Sequence, residues 1–526
     1  MRGTLRERVQ STLALFPRWL ARLGVVDREM GEEIFDLAVP VIVTGGLRTL
    51  LRTVDFFMVS LALGSAAVAA LQFGFQYSLV ALGLGLALAS GTISIVSRFT
   101  GADDPERTNL ALKQSLWLTL LVATPLGVVG WVWAEPLIDV LTDDPRVIAL
   151  GAVYLKLLMV SVPFHFWTIV SSRALAGVGD TRTPMYIRMS SLPTNTAVNA
   201  ALIFGLGPFP RLGIAGAAIG TTISNVLQAV LFTAAFLSGR FGIELSLSGP
   251  QFDLSIIREI IRVSLPLSGT RLGGIGARFP FLFVLGALGT EVVAAYAIGR
   301  RIVTVVRMPA YGYATASSAL VGQAIGDGDE ATAETYGWQT VRIALATELL
   351  LGAAVALGAR ELALLFSAEN VSLTVGFIYV FAAAIAGFSV SRTLQGALRG
   401  AGDTRVPFYA TMVGNYLIRL PIALLALPTG VAVSAFGYSV APGFGLASRL
   451  ALRRGTHISQ YRPDPVNPVA RRDAVDTPRA LPCATQSCFA KTYSWTVSPA
   501  MSRWASSTST PPRSSPSRRS RRTFGR

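Results

Sequence analysis

A carboxylate, Asp55, lies inside the first long apolar stretch of the chain, which runs from Ile34 to Gly64. About 20 apolar residues at roughly 1.5 Å of rise each suffice to cross a bilayer, so this stretch predicts a transmembrane helix. A charge at its centre costs at least ~2.5 kcal/mol, and Asp55 is therefore expected to face protein or water. Its type and place predict a proton or cation site in a transporter. The alternative is a structural ion pair with Arg48 or Arg52 on the same helix.

Two asparagines, Asn195 and Asn199, lie one helical turn apart in a later apolar stretch and so share a helix face. Counted from the outer helix ends at Gly64 and Gly205, Asp55 lies about 14 Å deep and Asn199 about 9 Å deep at helical rise. Amides in apolar helices need hydrogen-bond partners, and a carboxylate across a cavity is a suitable one. The spacing therefore predicts that the three side chains meet, unless the asparagines only join neighbouring helices.

The composition is that of a polytopic membrane protein: 526 residues, 52% hydrophobic and 14% charged, with a mean hydropathy of +0.52. The formal net charge of +16 does not indicate nucleic-acid binding, because residues 453–526 alone hold 13 Arg and one Lys against three Asp. The two cysteines, Cys483 and Cys488, also lie in this tail, so no disulfide framework is predicted. The sequence contains no Walker A, H-E-x-x-H or C-x-x-C motif, and we predict a transporter without cofactor or metal, not an enzyme.

The apolar stretches predict an all-α fold of about 12 transmembrane helices. Under an inside N-terminus the inner segments hold 19 Arg and Lys and the outer ones three, which predicts a cytoplasmic N-terminus in the plasma membrane. The predicted regions are an amphipathic leader at 1–33 (or a frayed cytosolic one), an N-lobe bundle at 34–238, a cytoplasmic linker at 239–259, a C-lobe bundle at 260–451 with a doubtful last span at 429–451, and a basic tail at 452–526.

The chain repeats itself at half length. Residues 173–184 read RALAGVGDTRTP and residues 396–407 read GALRGAGDTRVP, so that a GDTR loop recurs in each half. Six predicted spans separate the copies, and the two halves therefore have the same orientation. Transporters place their substrate cavity between such halves. The GDTR loops themselves are interpreted as structural turns, with a substrate-contacting role as the alternative.

These features resemble the MATE family of multidrug and toxic-compound extrusion transporters, over about residues 34–427. The resemblance implies two like-oriented six-helix bundles in a V, a monomer in the lipid bilayer, and export of amphipathic, cationic small molecules driven by a proton or sodium gradient. It also implies an N-lobe cation site at Asp55, Asn195 and Asn199. Asn199 stands where some members have an aspartate, which leaves one carboxylate and favours protons over sodium. The alternatives are a lipid-linked oligosaccharide flippase of the same superfamily, and a channel or receptor.

The C-terminal half has a different set of charges. Glu348 is the one acid in the predicted ninth span and a secondary candidate for coupling, and His165 in the fourth span is interpreted as a core histidine. The arginines of this half leave an anionic or zwitterionic substrate open; they are Arg271, Arg278, Arg300, Arg301, Arg307 and Arg419.

The tail after Pro428 lacks the small-residue pattern that follows the fifth span of the first half. A frameshift near residues 427–440 would explain the change in composition. A disordered basic cytoplasmic tail is the other interpretation.

Overall fold

The computed structural model describes residues 15–246, 250–277, 280, 281, 284, 285, 290–365 and 370–429. The tail, the doubtful twelfth span beyond residue 429 and residues 1–14 of the leader lie outside these residues. Within them, six helices are long and apolar enough to span a membrane, and a helix pair bent by 47° makes a seventh candidate. The chain is therefore an all-helical, multi-pass membrane protein, as the sequence predicts.

The first half of the chain contains a short amphipathic helix followed by long apolar ones. The bent pair is Pro145–Val160 and Val162–Gly177, which meet at Ser161. The helices are α1 Leu15–Arg22, α2 Arg28–Leu63, α3 Ser65–Gly101, α4 Pro105–Val132, α5 Ala134–Asp139, α6 Pro145–Val160, α7 Val162–Gly177, α8 Arg182–Phe204 and α9 Ile214–Leu237.

The second half repeats this order with more interruptions. One break falls at Arg307, and a π-helical segment, Val413–Arg419, interrupts the last described span. The helices are α10 Leu254–Gly276, α11 Thr290–Val306, α12 Met308–Asp327, α13 Glu330–Leu357, α14 Ala359–Leu365, α15 Val371–Gly400, α16 Arg405–Met412 and α17 Leu420–Thr429.

The GDTR loops form equivalent turns in the two halves. Gly179 and Gly402 have φ values of 88° and 86°, a left-handed conformation that glycine adopts without strain. Asp180 Oδ1 accepts hydrogen bonds from the first backbone N–H groups of α8 at 3.0 and 2.9 Å. Asp403 Oδ1 does the same for α16 at 3.1 and 3.4 Å. The loops thus end one helix and begin the next, which is the structural role that their residue types predict.

The two halves join closely at the end of the molecule that carries these loops. There α3 and α12 meet backbone to backbone: a Cβ on Gly101 would lie 1.8 Å from Gln323 O, and one on Gly326 would lie 1.9 Å from Arg98 O. An ion pair between Arg98 Nη2 and Glu259 Oε1, 2.5 Å long, links α3 to α10. Because glycine has no side chain, this contact between the halves is possible only at such positions.

Candidate functional site

The structure brings Asp55, Asn195 and Asn199 together in the first half. Asn199 Nδ2 donates to Asp55 Oδ1 at 2.7 Å and is also 3.2 Å from Asn195 Oδ1. Asn195 and Asn199 are 1% and 0% exposed, whereas Asp55 is half-buried. A half-buried carboxylate at the edge of a buried amide pair is reachable by a small cation.

Three features of the sequence fix this geometry. Pro193 lies inside α8 two residues before Asn195, where it removes one helical hydrogen bond and allows the helix to bend. Gly205 ends α8 in a left-handed conformation with φ 74°. Gly220 on α9 allows close approach to the site, since a Cβ there would lie 1.9 Å from Asn199 Oδ1. The amide is therefore held between α2 and α9 with little freedom.

Asn199 Oδ1 is buried and has no hydrogen-bond partner within the described protein. Buried acceptors are normally satisfied, and an orphan beside a carboxylate indicates a place where a donor or cation would be stabilised. Arg48, one of the arginines considered above as an ion-pair partner of Asp55, lies near Tyr311 and Arg173. The side chain of Arg52 lies outside the described part of the structure.

Glu348 is not part of this group. It lies on α13 in the second half, is 0% exposed, and its Oε1 accepts a hydrogen bond from Ala310 N at 2.9 Å. Ala310 belongs to the first turn of α12, directly after the break that follows α11. Glu348 therefore satisfies a backbone donor that the break would otherwise leave unpaired within the membrane. As a second coupling residue it stays a prediction, and the capping contact gives it a structural role as well.

Two substitutions separate these roles of Glu348. Glu348→Ala is expected to lower the free energy of unfolding by about 1–3 kcal/mol, because it leaves the buried Ala310 N–H without an acceptor. Glu348→Gln keeps an acceptor oxygen and is expected to retain both the melting temperature and efflux. Thermal unfolding and dye efflux measured on the same preparations test this. Dead efflux at a normal melting temperature in Glu348→Gln would instead support the coupling role.

His165 Nδ1 lies 3.4 Å from Asn225 Oδ1 on α9, so the ring has a polar neighbour within the first half. His165 is half-buried, and its interpretation as a core histidine stays a prediction.

Sequence reasoning missed a group of arginines between the halves. Arg173, Arg392 and Arg399 belong to segments 173–188 and 392–405, which the count of 19 inner charges treats as loops. They lie inside helices, because α7 continues to Gly177 and α15 to Gly400. Arg173 donates to Thr315 Oγ1 on α12, and Arg399 Nη1 lies 3.3 Å from Ser90 Oγ on α3. Both contacts cross from one half to the other. The only signal in the sequence was the unusual number of arginines in apolar segments.

A family model described as MatE matches residues 40–201 and 276–425 of the chain. The chain belongs to the MATE family. This MATE protein is 29% identical over 444 residues to "Probable multidrug resistance protein NorM" of Bradyrhizobium diazoefficiens, covering 82% of the chain and 95% of that protein. It is 26% identical over 356 residues to "FAD transporter" of Shewanella oneidensis, covering 66% of the chain and 77% of that protein.

The fold of this MATE protein is also that of solved structures. One of them, described as the outward-facing conformation of a multidrug resistance MATE family transporter of the MOP superfamily, superposes with a TM-score of 0.74. It covers 82% of this chain and 96% of its own at 24% identity. The predicted family and fold class, with two like-oriented bundles, are confirmed. The protein is a membrane transporter of the multidrug efflux family that acts on small molecules, and no enzymatic family is indicated.

Proposed function

We propose that this protein exports amphipathic small molecules from the cell by antiport with protons, through alternating opening of the space between its two halves. The observation that carries the proposal is the 2.7 Å hydrogen bond from Asn199 Nδ2 to Asp55 Oδ1, inside the first bundle. Protonation of Asp55 would remove the negative charge that this donor stabilises and so change the packing of α2 against α8. The proton would thereby favour one conformation over the other, which is the requirement for coupling.

Protons are favoured over sodium by the composition of the site. A hard cation prefers several oxygen ligands with more than one negative charge. Here the contacts of the group supply one carboxylate with the amide oxygens of Asn195 and Asn199, and the amide nitrogen of Asn199 already occupies one carboxylate oxygen. A proton, by contrast, needs only a single carboxylate, which Asp55 supplies.

The closed end supports the alternating mechanism. The backbone contacts of Gly101 and Gly326 join α3 and α12 without interlocking side chains, so the two helices can separate and rejoin as rigid bodies.

We further propose that this end faces the cytoplasm of the plasma membrane, that the protein acts as a monomer in the lipid bilayer, and that it needs neither nucleic acid nor cofactor. The names of the relatives concern multidrug resistance in one case and FAD in another, so they leave the substrate open.

Dye efflux from proteoliposomes tests the proposed function. Vesicles containing the purified protein are loaded with a fluorescent substrate and given either a proton gradient or a sodium gradient. We expect efflux to follow the proton gradient and to stop when an ionophore collapses it. Efflux that survives the collapse of the proton gradient and follows sodium would contradict proton coupling, and facilitated equilibration without either gradient would contradict antiport.

A further inference from the structure

Five arginines from both halves converge at the interface between the bundles: Arg48, Arg173, Arg271, Arg392 and Arg399. Arg173 is close enough to Arg48 and Arg392 to be repelled by their charges, and Arg271 is repelled by Arg392 and Arg173. Arg399 is repelled by the charges of Arg173, Arg392 and Arg271. The side chains are half-buried, so they are neither sealed in a core nor directed into bulk water.

Direct contacts place three of these arginines around one segment of α12, residues 311–315. The guanidinium of Arg392 lies over the ring of Tyr311, with Cζ 4.5 Å from the centroid. Arg399 Nη2 donates to Ala314 O at 3.2 Å, and Arg173 donates to Thr315 Oγ1. The convergence thus rests on hydrogen bonds and ring contacts as well as on electrostatics.

Carboxylates do not neutralise this group within the part of the chain that the structure describes. The ion pairs there involve other cations, namely Arg18, Arg28, Arg98, Arg107 and Arg182. Arg399 Nε is buried and has no hydrogen-bond acceptor. Cations gathered inside a membrane protein without counter-charges are costly, and they mark a path or site for a charged ligand. The charge that would balance these arginines is negative, so the expected ligand is an anion.

Aromatic rings flank these arginines. Tyr311 and Phe388 pack at 5.9 Å between ring centroids, and the guanidinium of Arg307 lies 4.4 Å from the centroid of Phe388. A guanidinium stacked on a ring still presents its N–H edge, where a carboxylate or phosphate binds through paired hydrogen bonds. Flat rings beside cations would accommodate the apolar part of an aromatic ligand.

We infer that the space between the halves binds an amphipathic aromatic anion, carrying carboxylate or phosphate groups, on these arginines. The transport of that anion rests on the proposed function, whereas its binding does not. The inference replaces the cationic substrate that the family resemblance implies, because an organic cation would meet five like charges. The described carboxylate near this site, Glu348, already interacts with Arg307 and with the backbone N–H of Ala310.

A purely structural role is the competing explanation for some of these arginines. Arg173 and Arg399 make hydrogen bonds across the interface to Thr315 and Ser90, so their removal would disturb the closed end as well as ligand binding. Among the described residues, Arg392 donates to Gln395 on its own helix at 3.2 Å and stacks on Tyr311. Arg271 and Arg392 are therefore the informative positions.

Equilibrium binding to the full-length protein in neutral-lipid nanodiscs tests the inference. The probes are flavin mononucleotide and carboxyfluorescein as anions, riboflavin as the uncharged counterpart of the first, and ethidium as a cation. Arg271→Gln and Arg392→Gln are each expected to weaken anion binding roughly tenfold, the loss of one charge-assisted hydrogen bond. Arg271→Lys is expected to lose less because it keeps the charge. Arg360→Gln, which removes an exposed arginine on α14, is the matched control and should leave binding unchanged.

The pattern across probes separates the possible ligands. Tighter binding of flavin mononucleotide than of riboflavin would assign the site to phosphate, and tight carboxyfluorescein binding alone would assign it to carboxylate. Ethidium binding tighter than that of both anions, or equal losses in Arg271→Gln and Arg360→Gln, would overturn the inference. The melting temperature distinguishes a loss of folding from a loss of binding. Arg271→Lys should still bind the anions and should melt at the normal temperature.

The proposed function fails under different outcomes. Anion binding that depends on Arg271, together with transport insensitive to the proton gradient, would refute proton coupling and leave the binding inference standing. Proton-driven ethidium efflux without anion binding would refute the binding inference and leave proton coupling standing.

Discussion

Asp55→Asn is expected to reduce gradient-driven efflux to the level of empty vesicles. An asparagine resembles the protonated carboxyl in shape and charge, so the first bundle would remain in its protonated packing whatever the pH. Expression and thermal stability should stay near those of the unchanged protein, because removing a half-buried charge relieves a desolvation cost. Proton-driven efflux and the melting temperature, measured in the same membranes, provide the test.

Asn199→Ala is the matched comparison for that experiment. Its amide donates to Asp55 Oδ1 but carries no titratable proton, so its loss should weaken coupling without abolishing it. If Asp55 served only as the ion-pair partner of Arg48 or Arg52, Asp55→Asn would instead lower expression and stability, and efflux would fall in proportion to the amount of protein. Normal expression with absent efflux therefore distinguishes coupling from a structural ion pair.

Gly326→Ala is expected to abolish transport by preventing closure between the halves. The added Cβ would lie 1.9 Å from Arg98 O, a backbone atom that cannot rotate away as a side chain would. Helices α3 and α12 must then separate, and the contacts around Gly101, together with the ion pair from Arg98 to Glu259, open with them. Spin labels at Asp103 and Asp327, in a background without Cys483 and Cys488, should report a longer distance between the helices.

The control for Gly326→Ala is a glycine of α3, the partner helix in this contact. Gly83 on α3 has nothing within 4 Å of an added Cβ, so Gly83→Ala should preserve both transport and the label distance. Activity and distance that both stay unchanged in Gly326→Ala would contradict the clash expected at this contact. A longer distance with normal transport would show that the mechanism does not require this contact.

Much of the fold follows from the sequence because membranes restrict the possible structures. Backbone groups in lipid must be hydrogen-bonded internally, so long apolar stretches predict helices almost without regard to their neighbours. The repeated GDTR loops predict two equivalent halves, since each residue in them has a local role in a turn. The joint site of Asp55, Asn195 and Asn199 was predictable for a similar reason: depth and helix face follow from the number of residues between a side chain and its helix end.

Sequence alone did not reveal which residues of the two halves face each other across the interface. Arg173, Arg392 and Arg399 lie close to loops along the chain, and a positive charge there normally indicates only the cytoplasmic side. Whether such a residue ends a helix at the membrane surface or points between two bundles depends on the rotation of whole helices in the fold. The contact of Arg173 with Thr315 joins residues from different halves, and no local pattern encodes it.

The sequence by itself determined the helices, their repeat, and the acid and amides that share one bundle, because these depend on spacing along single helices. Only the tertiary structure decided that Glu348 accepts a hydrogen bond from the first turn of α12, and that Gly101 and Gly326 lie against the backbone of the opposite helix. It also decided that arginines from both halves lie together at the interface. These features depend on how two packed bundles are positioned against each other. That position arises from many small contacts between distant residues, and no single stretch of the chain contains it.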